Sequence, residues 1–528
     1  MIKSKMLKIT ISIFVFLVNS LFVFSQPPNI IIDNNEDNDP VEPSIIISRK
    51  NTNNLLAGSN LDNCYLSNDG GLTWTSFYLS SNSGVWGDPS LNVDTTGNFY
   101  FFHLSNPETG HFIDRIVCQK IEDGTPTIDS YMGLNGDKYQ DKAWSIVNYN
   151  TDEIYVTWTQ FDKLGSSEKK DSSVILFSKS LDAGANWSTP KRINKFIGNC
   201  MDNDSTAEGA VPAIGVNDEI FVAWALNDKI YFNKSTDDGD SWLEEETVVC
   251  DQVGGWAYDI PGISRCNGLP ITCTDLSKGP HRGTIYINFS DQRNGKDDTD
   301  IWLVKSTDNG NSWSSPIRVN DDTTQTHQFL TWMTIDQVTG YVYIVFYDRR
   351  DYTDNNTDVY MAMSKDGGET FKNIKISESP FKPNSSIFFG DYTNVSAHNN
   401  VIRPIWTRLN DNKLSVLTAI VDVDDFGTDV ISFQKEKNIT SNEIIVNPNP
   451  FKEKTFVSFK MHKESHVKIV LRDIYGRKIK ILKNQKLKAG KYIQEISASE
   501  NNLQNGIYFV QIIINRNKII TKKIVFNN

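Results

Sequence analysis

Much is missing from this 528-residue sequence, and each absence narrows its class. No long stretch repeats its apolar residues at the helical period, which leaves strands as the building material. Beyond the N-terminal segment, nothing is apolar enough to cross a bilayer. The six cysteines (Cys64, Cys118, Cys200, Cys250, Cys266 and Cys273) form no CxxC pair and no Cys/His spacing suited to zinc, so they read as structural. Basic charge is scarce except at the C-terminal end. Residues 443–528 carry 17 Lys and Arg against 6 Asp and Glu; the rest, less three N-terminal lysines, carries 33 against 59. An acidic main body argues against nucleic acid as a ligand, and opposite charge on two stretches argues for two domains.

Aromatic residues are plentiful, at 11% of the chain, which favours strands. The chain begins MIKSKMLKITISIFVFLVNSLFVFSQ, three lysines followed by an apolar run from Ile9 to Phe24. This reads as a secretory signal peptide over residues 1–25. A membrane anchor is the other reading, but the run is short for a span and polar, acidic sequence follows it. Export makes disulfides permissible. Cys266–Cys273 and Cys200–Cys250 are candidate pairs, although six cysteines allow 15 connectivities.

The stretch SNDGGLTW (Ser67–Trp74) returns as SLDAGANW, STDDGDSW, STDNGNSW and SKDGGETF, starting at Ser180, Ser235, Ser306 and Ser364. All fit Ser-x-Asp-x-Gly-x-x-aromatic. Around these boxes a longer unit repeats: an apolar strand, a turn, a strand rich in Tyr, Val and Trp, a third strand entering the box and a fourth leaving it. Seven such units occur, beginning near Glu42, Asp88, Asp141, Ala210, Pro270, Phe329 and Gly390. The second has a decayed box and the seventh has none. Four antiparallel strands per unit at this period predict an all-β fold: a β-propeller over residues 26–440, seven-bladed with six blades as the alternative. The box belongs in the turn between strands three and four. Its Gly permits a left-handed backbone, its Ser and Asp fix the turn, and its aromatic ring packs between sheets.

These boxes resemble the Asp boxes (BNR repeats) of the sialidase superfamily, over roughly residues 40–430. From Asn442 the sequence changes to lysine-rich alternating strands, a small β-sandwich over 441–528. Its NPNPF start, Gly506-Ile507-Tyr508 and closing Lys522-Lys523-Ile524-Val525 resemble the C-terminal sorting domain of the type IX secretion system of Bacteroidetes. That likeness implies export machinery as a partner and a secreted or surface-attached product.

Residues before strand one and after strand two of every unit lie on the propeller face opposite the boxes. They include Glu42, Asp88, Asp141, Lys142, Glu208, His327, Asp391 and Tyr392, then His103, Asp162, Asn227, Asp291, Arg293, Asp348, Arg349, Arg350 and Arg408. Such groups on one rim suit a charged or sugar ligand. The sialidase likeness implies Asp88 as acid, Tyr392 as nucleophile, and an arginine group drawn from Arg293, Arg349, Arg350 and Arg408 for the substrate carboxylate. The Phe/Tyr-Arg-Ile-Pro motif of that family is absent. Paired-carboxylate hydrolysis by Asp88, Asp141, Asp348 or Asp391 is a second chemistry. A lyase using His103 or Tyr392 as base is a third. A non-catalytic propeller that binds a glycan or protein is the remaining class. In Asp291-x-Arg293 and Asp348-x-Arg350, acid and base could simply pair and brace the rim. No cofactor is implied. Calcium has two oxygen-rich candidate loops, Asp33–Asp39 and Asp348–Asp358, neither with EF-hand spacing.

Overall fold

The computed structural model describes residues 26–426 and 444–527, apart from 36, 123, 462–463, 474–476, 502 and 515–517. The expected signal peptide lies outside the described residues. Two compact units divide between residues 428 and 429.

Among the described residues the first unit holds seven four-stranded antiparallel sheets. Their innermost strands are Ser44–Ile47, Gly87–Val93, Tyr139–Val147, Glu208–Ile214, Ile271–Thr274, Gln328–Asp336 and Asn394–His398. Each touches the next, and the last touches the first, so the sheets close into a ring as the blades of a seven-bladed propeller. The outer strand of blade seven is Asn29–Asp33, from the N-terminal end, paired with Lys413–Ala419. This explains the missing seventh box: blade seven has no turn between a third and a fourth strand, because its fourth strand comes from elsewhere in the chain.

The five boxes share one geometry. In each, the Ser hydroxyl accepts the Gly amide, at 2.8–2.9 Å in all five. The Asp accepts the amide three or four residues on, for instance Ser312 N to Asp308 Oδ1 at 2.9 Å. The Ser241 and Ser312 hydroxyls, then these amides, hold Asp237 and Asp308 down to about 2. Trp187, Trp242 and Trp313 then pack edge-on against Phe102, Phe177 and Phe232 of the preceding blade. The box is a local turn that also fastens adjacent blades.

The second unit is a sandwich of a three-stranded and a four-stranded sheet. Val457, Phe459, Val467, Ile469, Ile512 and Ile524 are among its buried core. All six cysteines are free thiols, so neither candidate disulfide forms in this structure.

Candidate active site at the propeller axis

Four inner strands begin with the same irregularity. Register slips by β-bulges at Gly87/Ser90, Asp141/Trp144, Glu208/Val211 and Phe329/Trp332. Within each bulge one residue is left-handed: Asp88 (φ 53°), Lys142 (47°), Gly209 (80°) and Leu330 (49°). In blade one, Glu42 (54°) holds the equivalent place just before its strand. A bulge bends the strand and re-aims its side chains. Here it brings polar groups from several blades to one end of the axis.

Asp391 is the hub. Its carboxylate takes Lys142 Nζ at 3.0 Å and Arg265 Nε at 2.9 Å, and Arg265 closes a second bond to it. Arg265 also reaches Asp202 at 3.2 Å. The Asp391 amide donates to Glu42 Oε1 at 3.2 Å, and its carbonyl accepts Asn267 Nδ2 at 2.8 Å. The approach needs Gly390, where an added Cβ would lie 2.9 Å from the Glu42 nitrogen. Beside it, Asn60 donates to Glu42 and accepts the Asp88 amide at 2.7 Å. The Tyr392 hydroxyl donates to Asp88 Oδ1 at 3.3 Å. Beneath them, Trp144 packs 4.6 Å from Trp332, tilted, and 5.0 Å from Tyr392, edge-on. The three rings close the axis around a narrow cavity that Lys142 and Asp391 also line.

The charges are uneven. Burial pushes the Glu42 carboxyl well up, and Asp88 and Asp391 push it further. Burial does the same to Glu208, against the pull of Lys142, and neither Glu208 oxygen has a hydrogen-bond partner. Burial raises Asp141 to about 7, against Lys142, with Asp88 and Asp202 adding to the rise. Burial would raise Asp391 too, but Lys142 and Arg265 outweigh it and hold it ionised. Lys142 stays charged despite burial because Asp391, Asp141 and Glu208 surround it. Burial, then Asp88 and Glu42, keep the Tyr392 phenol protonated.

Thus Asp88, Asp141, Asp391 and Tyr392 come together, with Glu42, Lys142 and Glu208. The residues after strand two do not join them. Strand two lies one strand spacing farther from the axis, about 4.8 Å, so its end opens on the rim. There Asp348 takes Arg350 Nε at 2.8 Å, and burial still raises it to about 6. Arg350 continues to Asp321 at 2.6 Å. Arg293 lies on Asp291 at 2.9 Å. Arg349 is buried against Thr357 at 3.0 Å and the Pro261 carbonyl at 2.8 Å, and burial lowers it to about 10. Arg408 is half-buried on the second strand of blade seven, its Nε without a partner. His103 is fully buried, with Nδ1 2.8 Å from its neighbour's carbonyl; burial lowers it to about 4, so it is neutral. His327 meets Thr299 Oγ1 at 3.1 Å.

Strand-end reasoning missed Arg265, Asn267, Asn60, Trp144 and Trp332. Arg265 and Asn267 sit in the long connection between Asp251 and Ile271, whose length was the available signal. Of the calcium candidates, Asp33 accepts Tyr65 at 2.6 Å and Asn38 at 2.7 Å, and Asp358 accepts Tyr352 at 2.7 Å. Among the described residues, no three His, Cys, Asp or Glu form a group suited to a metal ion.

A family model described as the secretion system C-terminal sorting domain matches residues 445–527. The C-terminal unit is a sorting domain. It directs the chain out of the cell, to secretion and attachment at the surface. Among the described residues no helix is long and apolar enough to cross a membrane. No curated protein matches the chain. Among solved structures, the Hadza microbial sialidase Hz136 is similar at 12% identity, over 70% of this chain and 73% of its own, with a TM-score of 0.39. A PL25 polysaccharide lyase, an ulvan lyase, aligns at 13% identity over 76% and 99%, TM-score 0.46. A mutant of the α-L-arabinofuranosidase Arb93A from Fusarium graminearum, in complex with an iminosugar inhibitor, aligns at 13% over 67% and 99%, TM-score 0.42.

Proposed function

We propose that the propeller is an extracellular glycoside hydrolase acting on neutral glycans, with Asp141 as general acid and Asp88 as base. The observation that carries this reading is the pair itself. The two residues stand at the matching bulges of adjacent blades, Asp88 within one and Asp141 at the edge of the next, are partly buried, and differ in surroundings. Asp141 titrates at about 7, so near neutral pH it holds a proton to give the glycosidic oxygen as the C–O bond breaks. Asp88 takes a proton from the attacking water. Tyr392 and Asn60 orient it. Sialidase chemistry draws less support. It requires arginines for a substrate carboxylate, yet Arg293 and Arg350 are bound to Asp291 and Asp348, and Arg265 to Asp391. An anionic sugar would meet Asp88, Asp141 and Asp202, while the cations beside them, Lys142 and Arg265, are already taken by Asp391.

A second reading, a non-catalytic glycan-binding propeller, is favoured by one observation. The aromatic trio closes one end of the axis, and Glu42, Lys142, Glu208 and Asp391 are buried around it. Turnover decides between them. The protein should release reducing sugar from at least one of arabinan, galactan, mannan or β-glucan, and none from a fluorogenic sialoside. Asp88→Asn and Asp141→Asn should each abolish release, and activity should decline as pH rises through about 7, where Asp141 loses its proton. Silence across the panel from folded protein, or turnover untouched by both substitutions, refutes the hydrolase.

A further inference from the structure

We infer that Trp86, Phe112 and Tyr139 form a stacking platform for the sugar rings of a single neutral glycan chain, leading to Asp88 and Asp141. This rests on the carboxylate site proposed above and extends it outward by added subsites.

The three rings come from separate segments: the connection into blade two, the loop between Phe99–Leu104 and Ile116–Glu122, and the start of blade three. They form a continuous row. Trp86 and Phe112 lie 5.5 Å apart at 52°, and Phe112 and Tyr139 lie 5.6 Å apart at 64°. Trp86 is 41% exposed and Phe112 39%, so the fold leaves much of these rings in water. Single exposed aromatics are ordinary; two in a row with a third, half-buried ring beside a polar cluster suit a ligand. Trp86 stands two residues before Asp88, and Tyr139 two before Asp141, so the row runs into the carboxylates.

The backbone beneath is held firmly. Trp86 N donates to the Leu104 carbonyl at 2.9 Å, Ile113 N to the Ser105 carbonyl at 2.7 Å, and Gln140 N to the Ile113 carbonyl at 2.7 Å. The Asp114–Arg115 pair at 2.7 Å braces the same loop. Rings fixed before binding lose little freedom on binding. The occupant follows from the surface. A sugar offers an apolar C–H face to a ring and hydroxyls at its edge. Glu108 and Asp137 are exposed on the same segments, while the cations there, Lys138 and Arg115, are paired with Asp162 and Asp114, which disfavours an anionic membrane or polyanion. The rings are tilted rather than coplanar, which suits a flexible soluble chain and not a flat crystalline polymer.

The test uses the full chain in affinity electrophoresis against soluble β-glucan, arabinan, galactan and mannan, with kinetics on any polymer that is cleaved. At least one polymer should retard the wild type. Trp86→Ala and Phe112→Ala should each weaken that retention about ten-fold, the scale of one lost stacking contact, and raise KM at little change in kcat. Trp86→Phe should restore most of it. Asp88→Asn should bind as the wild type does. Retention that depends on the rings, with no cleavage of any polymer, supports the platform and refutes the hydrolase. No retention by any polymer, or retention indifferent to both alanine substitutions, overturns the platform even if cleavage is found.

Discussion

Replacing Asp391 by Asn removes the one carboxylate that Lys142 and Arg265 share. The two cations then fare differently. The Arg265 side chain is 47% exposed and keeps Asp202 at 3.2 Å, so water and that partner screen it. Lys142 is 5% exposed and keeps only the weaker field of Asp141 and Glu208. The loss is therefore mainly an uncompensated buried ammonium, about 3–5 kcal/mol. At about 2.1 cal/mol/K per residue over roughly 400 residues, that lowers the propeller's Tm by about 4–6 °C. Calorimetry on the full chain at pH 7 reads it. The double substitution Lys142→Met with Asp391→Asn should recover at least half the loss, because no buried charge is left alone. The pH dependence has a definite sign. Asp391 is held below its ordinary value, so its contribution is complete above the unfolded carboxylate's pKa, about 4, and is lost as pH falls through the folded value. The difference between wild type and Asp391→Asn should shrink in acid. A Tm unchanged at pH 7, or a double variant as unstable as the sum of the singles, would refute this account of the hub.

Glu208 carries the opposite sign: its folded pKa is raised, so its contribution is complete below about 4.3 and is lost as pH rises toward the folded value. Glu208→Gln should therefore flatten the fall in Tm as pH rises above about 4.3. Gly310→Ala puts a Cβ 2.4 Å from a ring carbon of Phe232 at a φ of 77°, and should cost about 2–4 kcal/mol in urea unfolding. Deleting residues 26–33 strips the outer strand from blade seven and bares the Lys413–Ala419 edge; the product should self-associate in light scattering, where the full chain does not.

The boxes were legible in the sequence because their chemistry is local. Ser, Asp and Gly within five residues satisfy one another's hydrogen bonds, so each turn forms wherever the motif stands. Seven repeated units at one period imply a propeller, since a blade cannot bury both its faces alone. The sorting sandwich was readable for the same reason, through alternation along its strands. The site was readable only in part. Asp88, Asp141, Asp391 and Tyr392, at or just before the starts of inner strands, were expected on one face because an antiparallel blade places those starts there, and they lie together. Which of them meet was decided by tertiary structure. The bulges at Asp88 and Lys142 have no local signature, since neither residue type favours a left-handed backbone enough to announce it. Arg265 reaches Asp391 across 126 residues of sequence, from a connection with no strand period to read. Whether Arg293 and Arg350 stay free or pair with the aspartates two residues before them depends on how far from the axis their strand ends lie. That distance, like the burial that lifts Asp141 and Glu208, exists only once the ring has closed.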